Sequence, residues 1–357
     1  MVALHSSDPV TVHLSAFARV AGFTPADLEG ALYERKSLVR MLGMRRTLFV
    51  VPLDVAAIMD EACTKALVPA QRRRLIGMIE EQGIAKDGAR WLDRARGRTL
   101  EALRARGEAA AAELTGDVPA LREKLTVGEG TTWAGQVGLS TRVLFLLAAE
   151  GKIVRTRPRG SWVSGQYRWA ELETWLGAPL RSVPHAEASA ELLRRWLRAF
   201  GPGTLTDIRW WTGWTAAQAR GALAEVDAEG VDLGGPPGFV LPDDTDPVER
   251  PDPWARLLPG LDPTTMGWKE RDWYLGDHTA ELFDRNGNAG PTVWANGRVI
   301  GGWAQSADGR VVVKLLERVD RRTRALVEDE RERLETWFGA TRVVPRFRTP
   351  LEKALAG

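Results

Sequence analysis

A short polar cluster near the amino terminus combines groups that can activate water with a group that can stabilise positive charge. Leu4-His5-Ser6-Ser7-Asp8-Pro9 contains an imidazole, two hydroxyls and a carboxylate. His5 is a candidate general base for a water, and Asp8 could stabilise a cationic sugar during cleavage of a glycosidic bond. Ser7 completes the candidate catalytic set. The alternative is structural, because Asp followed by Pro is a typical helix start, in which Asp8 caps the backbone and His5 has no role.

The densest positive charge lies in a predicted strand-turn-strand segment. Between Gly151 and Ala170 there are five basic residues and no acidic one. Arginines at alternate strand positions point to one face, so this hairpin could lie against a phosphate backbone, with an indole near its tip stacking on a base. The alternative is an ordinary solvated hairpin. The predicted DNA contacts are Lys152, Arg155, Arg157, Arg159, Trp162 and Arg168.

A second basic hairpin is predicted nearer the amino terminus. Two apolar, β-branched runs, 38–42 and 47–52, flank a short turn that contains Gly43, which is typical of a hairpin. Arg40, Arg45 and Arg46 are its predicted DNA contacts, although charges on a turn are also common without any function.

The order of predicted elements suggests winged helix-turn-helix units. Leu103-Arg104-Ala105-Arg106-Gly107 resembles Leu197-Arg198-Ala199-Phe200-Gly201. Each copy is followed by two helix-like stretches, Ala-Glu-Gly and strand-like sequence, which is the order of such a unit. We expect a first unit with following helices at 1–95, a second unit at 96–180 and a third at 181–242. The first unit lacks early helices, which suggests an abbreviated fold or a natural start upstream.

The carboxy-terminal part, 255–357, has a different pattern. Apolar runs at 280–283, 292–295, 299–304 and 311–316 are separated by Asn-Gly or Asp-Gly pairs, which are strong hairpin signals. We expect a small antiparallel β-barrel, closed by an amphipathic helix over 321–338. The predicted fold class is therefore α+β, with tandem winged helix-turn-helix units followed by this barrel.

Composition excludes several classes of protein. The 357 residues carry a formal net charge of only +2, so a nucleic-acid surface must come from local clustering. One cysteine, Cys63, excludes an internal disulfide, and the four histidines lack ligand spacing, so neither a metal nor a small-molecule cofactor is expected. The longest apolar run, 143–149, is far too short for a membrane helix. Without a signal peptide, a cytoplasmic, nucleoid-associated protein is expected.

Several segments resemble the bacterial AlkZ/AlkX family of alkyl-DNA glycosylases. They are the polar cluster at 4–9, the stretch 31–40, Met44-Arg45-Arg46-Thr47-Leu48, and 257–263. The resemblance covers nearly the whole chain. It implies three winged-helix units around a DNA-binding channel, a carboxy-terminal barrel, double-stranded and possibly alkylated DNA as partner, and excision of alkylated or crosslinked purines.

The chain departs from that family at the catalytic motif. The family has glutamine, an aliphatic residue and glutamine shortly before an aspartate, whereas His5, Ser6 and Ser7 stand at these positions ahead of Asp8. His5 could still hold a water, but Ser7 is too short to reach where glutamine would. A non-catalytic DNA-binding protein, such as a regulator or damage sensor, is therefore the alternative to a monofunctional glycosylase.

Overall fold

A computed structural model describes residues 1–128, 130 and 134–357. The chain forms two compact units. The middle unit is Glu29–Leu192, and the terminal unit combines Met1–Leu28 with Leu193–Gly357. The finer division of the chain into three winged-helix units and a separate carboxy-terminal domain stays a prediction. No helix in the described ranges is both long and apolar enough to cross a membrane.

The middle unit is mainly helical. One apolar face of its helix Gly88–Arg106 is buried, with Leu92, Ala95 and Leu103 at helical spacing. The Asp87 carboxylate caps this helix by accepting a hydrogen bond from the Arg90 amide at 2.9 Å. The α-helices of the unit are Leu53–Met59, Val68–Glu81, Gly88–Arg106, Ala111–Asp117, Leu139–Ala149 and Leu172–Leu176, while Pro25–Glu29 and His185–Phe200 cross its limits. Shorter turns of π- or 3-10 helix are Gly30–Glu34, Met44–Arg46, Asp60–Thr64, Lys65–Leu67 and Pro119–Arg122.

Three small antiparallel sheets complete the middle unit. The predicted first hairpin is confirmed, since Leu38–Leu42 pairs with Leu48–Pro52. In the basic hairpin, Ile153–Pro158 pairs with Tyr167–Glu171, and a shift in register follows Arg155. The other strands are Glu108–Ala110, which pairs with Tyr167–Glu171, and the pair Lys124–Val127 with Gly135–Gly138. The first helix-like stretch after Leu103-Arg104-Ala105-Arg106-Gly107 is therefore the helix Ala111–Asp117, because the three residues before it join the sheet.

In the terminal unit, the predicted start of the first helix is confirmed. This helix is Pro9–Phe17, and Asp8 is its N-cap. Its other helices are Leu205–Thr212, Ala216–Glu225, Asp272–Leu275, Thr279–Leu282, Arg321–Phe338 and Pro350–Ala356. Its strands are Leu4–His5, Gly203–Thr204, Glu229–Val231, Gly238–Val240, Ala255–Leu258, Thr292–Ala295, Arg298–Gln305 and Val311–Leu315.

The carboxy-terminal sheet is open, not a closed barrel. Within the described residues, its four strands from Ala255–Leu258 to Val311–Leu315 follow one another as an antiparallel meander. The helix Arg321–Phe338 bonds to both outer strands. Arg256 pairs with Glu330 of the helix at 3.0 Å, and the Val311 amide donates to Glu335 at 2.8 Å. Three of the four predicted strands, at 292–295, 299–304 and 311–316, lie in this sheet. The predicted closure into a barrel is wrong, because a helix instead reaches both edges of the sheet.

One predicted strand of this region is a helix. Thr279–Leu282 is helical, and Leu282 is fully buried. A Cβ atom at Gly302 would lie only 2.8 Å from the side chains of both Leu282 and Leu351. A glycine on the strand therefore lets two short helices pack closely against the sheet.

Candidate nucleic-acid interface

In the terminal unit, the Asp8 carboxylate is committed to the backbone. It is 6% exposed, and one oxygen accepts a hydrogen bond from the Val10 amide at 3.1 Å. The other oxygen accepts from the Arg346 amide at 2.8 Å. Burial raises the pKa of Asp8, and the two backbone bonds oppose that rise. These contacts are those of a structural cap.

The His5 ring contacts the backbone of the same polar cluster. The Ser7 amide donates to His5 Nδ1 at 3.4 Å. In the neutral ring, an accepting Nδ1 leaves the proton on Nε2, which is the tautomer that donates a hydrogen bond through Nε2. The Arg346 guanidinium donates to the Ser7 carbonyl at 3.2 Å. A residue near the carboxy terminus therefore contacts the candidate catalytic set.

A small cavity borders Asp8. It has a volume of about 20 Å³ and is lined by Thr11, Trp303 and Gln305 among others. A cavity of that size holds one water.

Buried polar contacts hold the first helix in the terminal unit. Asp262 is completely buried and accepts hydrogen bonds from the Ser15 hydroxyl at 2.7 Å and from Arg19 at 2.6 and 2.9 Å. The Thr11 hydroxyl donates to the Gly260 carbonyl at 2.7 Å. Sequence analysis did not find this network, since its partners are more than 240 residues apart.

In the basic hairpin of the middle unit, Arg157 is neutralised by glutamates. Its guanidinium lies 3.1 Å from Glu29 and 3.3 Å from Glu34, and it also stacks over the Tyr33 ring at 4.9 Å. The hairpin has no acidic residue between Gly151 and Ala170. Its acidic partners are glutamates from an earlier part of the sequence.

Two further hairpin arginines are paired in the same way. Arg159 lies 2.8 Å from Glu113. Arg168 lies 3.6 Å from Glu108 and 3.7 Å from Glu113, and it donates to the Glu108 carbonyl at 2.7 Å. The positive charge predicted for this hairpin is therefore largely balanced within the unit.

Arg40 and Arg155 belong to an aromatic stack. The Arg40 guanidinium lies 4.4 Å from the Tyr167 ring centroid and donates to the Tyr33 hydroxyl at 2.7 Å. Arg155 lies 5.7 Å from the same Tyr167 ring and 5.0 Å from that of Trp169. Both arginines line a cavity of about 190 Å³. Since Arg40 is only 2% exposed, the structure buries a residue that the sequence places at a DNA surface.

The remaining predicted contacts lie at the ends of the two hairpins. Lys152 is exposed directly before the strand Ile153–Pro158, and Trp162 is half-buried near the turn. Arg45 is exposed at the tip of the first hairpin, in the left-handed backbone region with a φ of 53°.

Three arginines of the middle unit form a cluster of positive charge that has no acidic partner among the residues that the structure describes. Arg46 follows Arg45 at the hairpin tip, Arg74 lies on the helix Val68–Glu81, and Arg142 lies near the start of the helix Leu139–Ala149. Burial lowers the pKa of Arg142, and the charges of Arg74 and Arg46 lower it further. The Arg142 Nε atom is buried, and no acceptor for it lies in residues 1–128, 130 and 134–357. Arg46 lies 5.0 Å from the Phe145 ring. We call Arg46, Arg74 and Arg142 the arginine cluster.

No metal site accompanies these residues. Among the residues that the structure describes, no three His, Cys, Asp or Glu side chains are placed to hold an ion.

Comparison with known proteins places the chain in a family. The family model described as DNA glycosylase AlkZ-like matches residues 1–337. The chain belongs to the AlkZ-like DNA glycosylase family. The resemblance drawn from the sequence is thereby confirmed. Membership supports roles in DNA binding and DNA repair for this AlkZ-like protein.

The fold of this AlkZ-like chain is also found in a solved structure. It is similar to Streptomyces sahachiroi DNA glycosylase AlkZ with a TM-score of 0.67 and 20% sequence identity. The match covers 92% of this chain and 88% of the Streptomyces chain. A search of curated proteins finds no match.

Two members of the arginine cluster of this AlkZ-like protein, Arg74 and Arg142, are not among the DNA contacts predicted from the sequence. Arg74 stands in an Arg-Arg-Arg run whose first member, Arg72, is paired with Asp93 at 2.8 Å. Arg142 is a single charge in an apolar helix. A charge that interrupts an apolar helix was the one signal that could have drawn attention to Arg142.

Proposed function

We propose that this AlkZ-like protein binds double-stranded DNA through the arginine cluster of its middle unit. The observation that supports this proposal is that the arginines of the basic hairpin are paired with glutamates, whereas those of the arginine cluster are not. Arg157, Arg159 and Arg168 have glutamate partners. Within residues 1–128, 130 and 134–357, the three arginines of the cluster form no ion pair, and their charges repel one another. A phosphate backbone would relieve that repulsion and release counterions.

The order of elements around the cluster supports a winged helix-turn-helix unit. The helices Gly88–Arg106, Ala111–Asp117 and Leu139–Ala149 precede the basic hairpin. In such units the third helix enters the major groove and contacts DNA with its amino-terminal residues. Arg142 lies near the amino-terminal end of that helix. The same order recurs from His185–Phe200 to Gly238–Val240, which supports a further winged-helix unit.

Binding to a fluorescein-labelled duplex, followed by anisotropy, tests this proposal. Arg142→Gln and Arg46→Gln should each weaken affinity by about tenfold, because a hydrogen bond to a charged partner contributes ~1.5 kcal/mol. Arg159→Gln is the matched control, as its charge is already balanced by Glu113. Unchanged affinity in both cluster variants would refute the proposed surface.

Excision of an N-alkylated purine is a second candidate function, favoured by the family. Such a base already carries positive charge and leaves with little acid assistance. Water would add to the anomeric carbon as the glycosidic bond electrons leave with the purine, which departs as a neutral base, and the proton of the attacking water would pass to bulk solvent. His5 would orient that water, Asp8 would stabilise the cationic sugar, and Ser7 would position His5 through its amide.

The geometry around Asp8 favours the non-catalytic alternative. Both Asp8 oxygens accept backbone hydrogen bonds, and the adjacent cavity has room for one water but not for a sugar. Incubation with DNA that contains an N7-alkylguanine, followed by detection of the free base, separates the two functions. Base release that is lost in His5→Ala establishes the enzyme. Absence of release leaves a DNA-binding protein, which we propose works at the nucleoid.

A further inference from the structure

A second surface, in the terminal unit, has a chemistry opposite to that of the arginine cluster. A cleft of about 470 Å³ is lined by Thr204, Leu233, Trp268, Glu270 and Trp273 among others. The structure describes six large apolar side chains as exposed, and two of them, Trp273 at 58% and Leu233 at 45%, line this cleft. Exposed apolar groups that converge on one concavity are typical of an interaction site.

The apolar walls of the cleft are fixed in place. The Trp273 ring packs edge-on against Trp268 at 5.1 Å and against Tyr274 at 4.9 Å. Its indole nitrogen donates to the Glu270 carbonyl at 3.1 Å. Leu233 packs over Gly238, where a Cβ atom would come within 2.5 Å of the leucine side chain. The exposed groups are therefore preorganised, which lowers the entropic cost of binding.

Buried hydrogen bonds also fix the floor of the cleft. Asp207 accepts hydrogen bonds from the amides of Lys269 at 2.7 Å and Glu270 at 2.9 Å through one oxygen. Its other oxygen accepts from the Thr204 amide at 3.0 Å and the Thr204 hydroxyl at 2.9 Å. The Glu270 carboxylate also lies within hydrogen-bond distance of that hydroxyl, so the single hydroxyl proton is shared between Asp207 and Glu270. These bonds fix the segment that carries the Glu270 and Asp272 carboxylates at the edge of the cleft.

The charge around the cleft is negative. Its ionisable lining residues are Asp207, Lys269, Glu270 and Asp272, which sum to −2. The hairpin that carries Leu233 contributes three acidic residues and no basic one over 227–237. Such a surface repels phosphates and attracts cationic groups.

We propose that this cleft binds a basic segment of a partner protein. The segment carries a large apolar side chain flanked by Lys or Arg. The apolar side chain packs against Trp273 and Leu233, and the flanking cation pairs with Asp272 or Glu270. Recognition of this kind places a rigid aromatic residue at the centre of a contact and charges at its rim.

A pair of labelled octapeptides tests this proposal with the full chain. The basic peptide contains Leu-Trp flanked by Lys and Arg. The control peptide has the same sequence with Glu in place of every Lys and Arg. The basic peptide should bind with an affinity that falls as the salt concentration rises, and the control peptide should not bind. Trp273→Ala and Asp272→Asn should weaken binding by about tenfold and about threefold. Val248→Ser, an exposed apolar residue outside the cleft, is the control.

Five results would overturn this assignment. They are absence of binding by the basic peptide, equal binding of both peptides, and full affinity in both Trp273→Ala and Asp272→Asn. The fourth is loss of duplex DNA affinity in Asp272→Asn, which would make the cleft a nucleic-acid surface. Light scattering that shows a dimer dissociated by Trp273→Ala would replace the partner by a second copy of the chain and also defeat the proposal.

Discussion

Arg157 and Glu29 form an ion pair of 3.1 Å across 128 residues of sequence, and Glu34 adds a second contact at 3.3 Å to the same guanidinium. The two glutamate carboxylates offset the positive charge of Arg157 in the basic hairpin. Which arginines meet DNA therefore depends on glutamates that are distant in the sequence.

Removal of these glutamates should strengthen DNA binding. In the double variant Glu29→Gln and Glu34→Gln, Arg157 loses both partners and becomes available to a phosphate. We expect duplex affinity to rise by about threefold to tenfold, within the range of a charged hydrogen bond. Titration of labelled duplex measures the change. Glu173→Gln, an exposed glutamate of the same unit, controls for net charge. An equal rise in that control would assign the effect to overall charge instead.

Loss of the Asp8 carboxylate should destabilise the fold. Asp8→Ala removes the cap of the helix Pro9–Phe17 and leaves the Arg346 amide without its acceptor. The expected loss in free energy of unfolding is about 3 kcal/mol, from a lost cap and an unsatisfied buried donor. Urea unfolding measures it, and Asp8→Asn, which keeps one acceptor, should lose less. Wild-type stability combined with lost base excision would instead make Asp8 catalytic.

Asp60 should make stability depend on pH. Burial raises the pKa of this carboxyl from 3.8 to about 6, while Lys65 at 3.7 Å opposes the rise only weakly. Because the folded pKa lies above the unfolded one, the folded state binds more protons between these values. This contribution to stability is therefore greatest below pH 3.8 and is lost as pH rises through about 6.

Asp60→Asn tests that dependence. At pH 7 the variant should be more stable than the wild type by on the order of 2 kcal/mol, and the difference should vanish at low pH. Urea unfolding at several pH values measures it, with exposed Asp246→Asn as control. A variant that is less stable at pH 7 would show that the ionised Asp60 has a stabilising partner.

Local patterns predicted local structure well. The helix start at Asp8-Pro9, the hairpin around Gly43 and the helix Arg321–Phe338 each depend on neighbouring residues, and all three are confirmed. Residues 280–283 were wrongly predicted as a strand, because the packing of Leu282 against Gly302 is not visible in a four-residue apolar run.

The candidate interface was harder to predict because it depends on distant partners. The glutamates that neutralise Arg157 and Arg159 precede them by 46 to 128 residues. The arginine cluster joins a turn and two helices, and no single window of sequence contains it. Burial of Arg40 likewise follows from its contacts with Tyr33 and Tyr167.

The salt dependence of duplex binding tests the central claim most directly. The logarithm of the binding constant falls with the logarithm of salt concentration by about 0.9 per neutralised phosphate. A variant with Gln at Arg46, Arg74 and Arg142 should lose about 2 to 3 of that slope, while one with Gln at Arg157 and Arg159 should keep the wild-type slope. An unchanged slope in the cluster variant, with a reduced slope in the hairpin variant, would contradict the account.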